Sequence, residues 1–224
     1  LLFFIRGDTD TNKLMNKKVN IWKGNTTKEF LESRNLDYPD GHMGPMYGYQ
    51  WRFFNKPYSS DGGGIDQLRN VIEKIKTDPT NRRILMTTYN PSQDDEGVLT
   101  PCHSIVLQFY VSKGRLSTHM YQRSADVFLG LPFNIASTSL LTHIIAKLTN
   151  LQAGDVTISL GDYHLYESHL EQAKKQLVRE PRKLPKLKIL KELKSLKDLE
   201  NLEYKDFKIN NYSYHPSIKV NMVI

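Results

Sequence analysis

Apolar residues recur at helical spacing in one stretch above all: Leu68, Val71, Ile72 and Ile75 line one side of a helix. The turn Asp61-Gly62-Gly63-Gly64 leads into it and Asp78-Pro79 ends it. A second helix is predicted over residues 134–148, where Leu141, Ile144, Ile145 and Leu148 share a face. A third is predicted over 164–178, stopped near Pro181. Between these lie β-branched, apolar runs that read as strands: 84–90, 104–111, 156–160, 187–189 and 218–223. Residues 115–123 alternate, with Leu116, Thr118, Met120 and Gln122 on one face and Ser117, His119, Tyr121 and Arg123 on the other. Residues 23–44 are polar and turn-rich, so they predict a loop with at most one helical turn. Strands and helices do not alternate strictly, which predicts an α+β architecture. No stretch reads as a linker, and residues 1–224 are expected to form a single domain.

Composition narrows the setting. Hydrophobic residues make up 39% of the chain, a globular proportion. No apolar run is long enough to span a bilayer, so no membrane partner is expected. The opening Leu1-Leu2-Phe3-Phe4-Ile5 is too short for a secretory signal and has no basic residues before it. A single cysteine excludes an intramolecular disulfide framework and suits a reducing compartment: cytoplasm, with nucleus or viral-host cytosol as alternatives. The net charge is +7, much of it from the lysine-rich stretch 174–208. That stretch mixes both signs, the mark of a solvated surface rather than a polyanion site, and no nucleic-acid-binding signature accompanies it.

The cysteine sits in Thr100-Pro101-Cys102-His103-Ser104, and Tyr121-Gln122-Arg123-Ser124-Ala125-Asp126 follows about twenty positions later. A thiolate is a strong nucleophile and nearby positive charge eases its formation, although an isolated cysteine is most often a small core residue. The surrounding segments change that reading. Leu2-Phe3-Phe4-Ile5-Arg6-Gly7-Asp8-Thr9, Gly44-Pro45-Met46-Tyr47-Gly48-Tyr49-Gln50-Trp51-Arg52, Asp66-Gln67-Leu68 and Asn81-Arg82-Arg83 precede the cysteine. Leu129-Gly130-Leu131-Pro132-Phe133-Asn134, Gly161-Asp162-Tyr163-His164-Leu165-Tyr166, Arg179-Glu180-Pro181-Arg182 and His215-Pro216-Ser217-Ile218-Lys219 follow it. In this order they resemble the thymidylate synthase family over nearly the whole chain.

The resemblance implies a thymidylate synthase-like fold: a mixed, twisted β-sheet with β-bulges forming a dimer interface, packed with helices. It implies reductive methylation of dUMP to dTMP, with 5,10-methylenetetrahydrofolate as co-substrate and no metal. Cys102 matches the nucleophile that adds to C6 of uracil. Arg123 matches a residue near both thiol and phosphate, and Tyr47 one in a proton-transfer network. Asn134 matches the residue that reads O4 and N3–H of the base, favouring dUMP over dCMP. By the same resemblance Gln122 and His103 support the nucleophile, Arg123 and Ser124 bind phosphate, and His164 and Tyr166 bind the sugar hydroxyl. Arg82 and Arg83 match residues that reach the phosphate from the other subunit of a homodimer with shared sites. Asp126 matches the carboxylate that holds the pterin; Ile21, Trp22, Asn25, Leu129, Gly130 and Phe133 match the folate wall. Met222, Val223 and Ile224 match a mobile tail that closes over it.

Two departures accompany the match. The family has a glutamate immediately before the position of Leu1 and a phosphate-binding arginine further upstream. A chain that starts at Leu1 is therefore expected to turn over slowly, whereas its apolar last residue matches the family's natural end. The spacing from Cys102 to Gln108 is one residue longer than usual, which predicts a β-bulge absorbed locally. Two other functions stay open at this level: a pyrimidine nucleotide hydroxymethylase, and a catalytically impaired relative that holds nucleotide or RNA. Fusion or coupling to a dihydrofolate reductase is also left open.

Overall fold

The computed structural model describes residues 1–58 and 60–223. In chain order the helices and strands are α1 (Leu2–Arg6), α2 (Asn12–Met15), α3 (Lys28–Ser33), α4 (Gly48–Phe53), α5 (Gln67–Thr77), β1 (Leu85–Thr87), β2 (Val106–Ser112), β3 (Arg115–Asp126), α6 (Gly130–Leu148), β4 (Gln152–His164), α7 (Leu170–Leu177), β5 (Lys186–Ile189), α8 (Leu196–Glu200) and β6 (Phe207–Asn210). Among the described residues the strands form a four-stranded sheet, β1-β2-β3-β4, and a two-stranded ribbon, β5-β6. The pairs β1·β2 and β2·β3 are antiparallel and β3·β4 is parallel, so the sheet is mixed and the fold is α+β.

The periodic segments behave as their patterns require. Asp66 caps α5 by accepting from the Arg69 amide, and Leu68, Val71, Ile72 and Ile75 are all buried. Each such side chain contributes about 1.5–3 kcal/mol by leaving water. Along β3, Leu116, Thr118, Met120 and Gln122 point into the core and His119, Tyr121 and Arg123 point out. Helix α6 packs its Leu141, Ile144, Ile145 and Leu148 face into the same core.

Several boundaries differ from expectation. Helix α6 begins at Gly130, four residues before Asn134, so Asn134 lies inside the first turns rather than capping them. Pro132 is compatible with that start because its missing N–H falls where a helix has no internal acceptor to offer. The strand expected at 156–160 runs from Gln152 to His164; backbone pairing of Asp126 with His164 carries it that far. The helix expected from residue 164 consequently starts only at Leu170, after a 3-10 turn at Glu167–His169. Residues 23–44 hold a 3-10 turn at Lys23–Asn25 and the full helix α3, capped by the Thr27 side chain. The strand expected at 218–223 does not form: residues 218–223 carry no regular element.

Two arrangements set up the site. Helix α4 lies against α1 at Gly48, where a Cβ would come within 2.4 Å of the Phe4 backbone, so only glycine allows the contact. Arg52, on α4, is 7% exposed. It forks onto Asp66 (Nε–Oδ1 3.1 Å, Nη2–Oδ2 3.0 Å), reaches Glu200 at 2.8 Å, and donates to the Ile5 carbonyl at 2.8 Å. One buried guanidinium thus ties α1, α4, α5 and α8 together.

Candidate active site

Cys102 is the only cysteine of the chain and lies partly buried in the loop that enters β2. The loop is fastened to β3 by its own backbone: the Arg123 amide donates to the Cys102 carbonyl at 2.8 Å. Between Cys102 and Val106, Ser104 takes the left-handed conformation (φ 56°), the one irregularity where the longer spacing is expected to be absorbed. From Val106 to Ser112 pairing with β3 runs in regular register, so the irregularity stays local.

Tyr47 stands over the thiol. Its hydroxyl is 3.4 Å from Cys102 Sγ and accepts from the Cys102 amide at 3.1 Å. The residue has φ 45°, an uncommon conformation for a bulky side chain and one that marks stored strain. Packing enforces it: the ring stacks on Phe4 at 5.0 Å and on His103 at 4.5 Å, and tilts against Trp22 at 5.6 Å. Burial, together with the neighbouring Cys102, pushes the phenol well above its ordinary pKa. Tyr47 therefore stays a neutral O–H donor across the working pH range. Burial also holds His103 down to about 4, which leaves it neutral, with Nδ1 3.0 Å from the Ser104 hydroxyl.

Asn134 lines the same cavity as the thiol and is oriented by Gln122, which is 1% exposed. Gln122 Nε2 donates to Asn134 Oδ1 at 2.9 Å and to the Ser124 carbonyl at 3.0 Å. That bond fixes the amide: Oδ1 faces Gln122 with a lone pair to spare, and Nδ2 remains a free donor. An acceptor and a donor side by side match a donor–acceptor edge of a flat heterocycle.

Arg123 lies on the outer face of β3. Its Nε donates to the Pro101 carbonyl (3.2 Å) and its Nη2 to the Thr100 carbonyl (3.3 Å), so it braces the two residues before the cysteine. No carboxylate pairs with it among the described residues. Asp126 Oδ1 accepts from the Phe128 and Leu129 amides at 3.0 and 3.2 Å, shaping the turn into α6. His164 closes β4 with its ring edge-on to Tyr166 at 5.1 Å and its Nδ1 3.1 Å from Asp162.

A cavity of about 420 Å³ opens beside the thiol. Of the residues expected at the site, Ile21, Trp22, Asn25, Tyr47, Cys102, His103, Gly130, Phe133, Asn134, Met222 and Val223 line it. Gln122 joins through Asn134, and Arg123 and Ser124 through the cysteine loop. Asp126 and Leu129 lie just before the lining residue Gly130, and His164, followed two residues on by Tyr166, pairs with Asp126 in the sheet, but none of the four lines the cavity. Arg82 and Arg83 are brought to neither: both are exposed on the α5–β1 connection. Ile224 lies outside the described residues. Phe30 and Leu99 also line the cavity and were not anticipated. Leu99 had a signal, three positions before Cys102; Phe30 sat in a stretch read as loop. Among the described residues no three His, Cys, Asp or Glu side chains gather as a metal site, and no helix is long and apolar enough to cross a membrane.

A thiol held beside a neutral phenol, with a fixed donor–acceptor pair in the same cavity and aromatic walls around, is built for covalent addition to a flat, electron-poor ring. Comparison with known proteins points the same way. The family model described as thymidylate synthase matches residues 1–224. A thymidylate synthase of Homo sapiens is 46% identical over 230 residues, covering 100% of this chain and 72% of the relative. One of Saccharomyces cerevisiae is 44% identical over 239 residues, covering 100% and 77%. One of Mycoplasma pneumoniae is 43% identical over 242 residues, covering 100% and 80%. With the whole chain matched and the nucleophile, phenol and amide converging on one cavity, the chain belongs to the thymidylate synthase family.

Proposed function

We propose that this chain converts dUMP to dTMP, with 5,10-methylenetetrahydrofolate as co-substrate and dihydrofolate as the second product. The observation that carries the reading is the trio of Cys102, Tyr47 and Asn134 around one cavity, with Tyr47 3.4 Å from the sulfur and Asn134 pinned by Gln122. Asn134 Nδ2 donates to O4 of uracil and Oδ1 accepts from N3–H. A cytosine ring reverses both partners and is disfavoured. The Cys102 thiolate forms a bond to C6, and the displaced electron pair moves to C5, making that carbon nucleophilic. C5 attacks the methylene carbon of the co-substrate, whose bond to one folate nitrogen opens. A water hydrogen-bonded to the neutral Tyr47 hydroxyl takes the C5 proton as tetrahydrofolate leaves. Hydride from that folate then reduces the exocyclic methylene to methyl as the C6–S bond breaks and the thiolate returns.

The rest of the cavity fits a fused, flat co-substrate. Trp22, Ile21, Leu99 and Phe133 offer apolar walls, Gly130 leaves room at the start of α6, and Met222 and Val223 close the rim. Methylenetetrahydrofolate supplies both the one-carbon unit and the hydride. Asp126 and Leu129 shape the turn beside this wall, Asn25 adds a polar contact within it, and His103 supports the Tyr47 ring. On the nucleotide side Arg123 and Ser124 take the phosphate, and His164 and Tyr166 take the sugar hydroxyl.

The phosphate end draws on a second copy of this chain. Arg82 and Arg83 are exposed with no ion-pair partner among the described residues, and forked guanidinium groups suit a phosphate dianion. The outer face of the sheet exposes Val106, Tyr110, Tyr121 and Tyr163, an aromatic surface suited to a homodimer. Within one copy, Phe4 packs against both apolar clusters of the core, which supports reading residues 1–224 as one domain.

Intact mass after incubation with 5-fluoro-dUMP and methylenetetrahydrofolate tests the reading, because fluorine at C5 cannot leave as a proton does. The expected result is a ternary covalent adduct mapped to Cys102; absence of any adduct with dimeric, folded protein overturns it. Mixing a Cys102→Ser variant with an Arg82→Ala variant tests the shared site. The mixture is expected to recover activity that neither parent has, through one intact site per mixed dimer.

A further inference from the structure

The chain segment that closes the cavity is tied down by a buried histidine. His169 ends the 3-10 turn Glu167–His169 and is 1% exposed. Its Nε2 lies 2.9 Å from the carbonyl oxygen of Asn221. A carbonyl only accepts, so Nε2 carries a proton and donates it. Nδ1 is buried and has no partner among the described residues. A buried nitrogen left unpaired is costly, and the only hydrogen bond the ring makes among the described residues goes to the tail.

The ring has little freedom to turn away. Tyr166 meets it edge-on at 5.6 Å and Phe128 tilts against it at 5.8 Å. From residue 216 to residue 223 the chain forms no helix or strand, and among the described residues no other hydrogen bond fastens it to the body of the protein. The two residues that follow Asn221, Met222 and Val223, reach the cavity rim. They are 45% and 43% exposed, so their own burial holds them weakly.

We propose that His169 is the latch of this tail: by holding the Asn221 carbonyl it places Met222 and Val223 over the folate half of the cavity. It is a positioning residue, since it touches neither thiol nor base-reading amide. The assignment of that half of the cavity rests on the function proposed above.

The test compares His169→Gln with His169→Asn in the full chain. A glutamine amide nitrogen sits near the position of Nε2 and reaches Asn221; an asparagine amide nitrogen sits near Nδ1 and does not. Both are polar and smaller than histidine, so a merely structural role predicts similar behaviour. In the free protein, carboxypeptidase Y is expected to release Val223 and Met222 about tenfold faster from the Asn variant and within about twofold of the parent from the Gln variant. In turnover, KM for methylenetetrahydrofolate is expected to rise about tenfold in the Asn variant with KM for dUMP within about twofold. Equal release rates in the two variants, or a KM rise shared equally by both substrates, overturn the latch. If neither parent nor variants make dTMP, the function above fails while the release rates still decide the latch.

Discussion

Arg52 and Arg123 both stitch distant segments together, yet their charges are treated in opposite ways. Arg52 is 7% exposed and faces two carboxylates, Asp66 and Glu200, so its charge is matched inside the fold. Arg123 gives its bonds to the Thr100 and Pro101 carbonyls, which orient a guanidinium without neutralising it. A buried, matched arginine is a strut; an open, unmatched one beside a nucleophile keeps its charge for an anionic ligand. Arg82 and Arg83 are likewise exposed with no ion-pair partner among the described residues, but they lie away from the cavity. The contrast divides the molecule into a region whose variants should lose the fold and a region whose variants should lose only chemistry.

The largest effect belongs to the nucleophile. Cys102→Ser should lower kcat by about 10⁴-fold or more, since serine has no base beside it to replace the lost acidity of the thiol. Nucleotide binding and the urea midpoint should stay close to the parent. A variant that also unfolds would blur the division and make Cys102 a core residue.

Next come the two arginines themselves. Arg52→Leu leaves Asp66 and Glu200 without their shared cation and should cost about 3 kcal/mol of stability. The cost stays near the lower end for a broken buried pair because the carboxylates keep 21% and 27% exposure and retain Arg69 and Lys197 nearby. Arg123→Leu should move the urea midpoint by no more than about 1 kcal/mol in free energy while raising KM for dUMP about 100-fold. Reversed outcomes, with Arg123→Leu unfolding and Arg52→Leu merely slow, would break the comparison.

How much of this was readable beforehand follows the same physics. Helix α5 was legible because its apolar residues repeat at the helical period and all face one core. The ends of β4 were not, because Gly154 dilutes the strand pattern. Only in three dimensions is the reason for it visible: a Cβ there would meet the Ser117 hydroxyl at 2.4 Å. That Cys102, Tyr47 and Asn134 share one cavity follows motifs legible in the sequence, since each belongs to a short run with a recognisable order. The His169–Asn221 bond joins residues 52 apart through a main-chain oxygen, and no residue identity advertises such a partner. The strand expected at 218–223 does not form either: an apolar run becomes a strand only when tertiary pairing accepts it, and that pairing is not written in its own residues.

The two regions should also answer differently to acid. His103 is held down to about 4 by burial, against an ordinary value near 6.5. Below pH 6.5 the unfolded chain takes up a proton that the folded chain refuses. Stability is therefore fully present above about pH 6.5, falls as pH drops towards 4, and levels off below it. The full shift corresponds to about 3 kcal/mol, and because His103 is only partly buried and lines the cavity, the expected loss is about 2 kcal/mol. Urea midpoints at pH 7 and pH 4.5 check it: His103→Asn should lose less stability than the parent over that interval. Equal losses in the two proteins would mean that the ring is protonated as readily in the fold as outside it.

The smallest effect concerns the extra residue beside the nucleophile. Ser104 is held at φ 56°, which strains any residue with a Cβ by about 1 kcal/mol. Its hydroxyl lies 3.0 Å from His103 Nδ1, a bond worth about 1 kcal/mol. Ser104→Gly removes both, and the two changes should nearly cancel. Ser104→Ala removes the bond and keeps the strain, so it should be less stable than the glycine variant by about 1 kcal/mol, measured as a difference in urea midpoint. If alanine and glycine prove equally stable, the backbone at this position is not held left-handed, and the added residue must be accommodated elsewhere between Cys102 and Val106. If the expected order holds, the strain of this loop is carried at a single position, and the regular pairing of β2 with β3 from Val106 onward follows from that confinement.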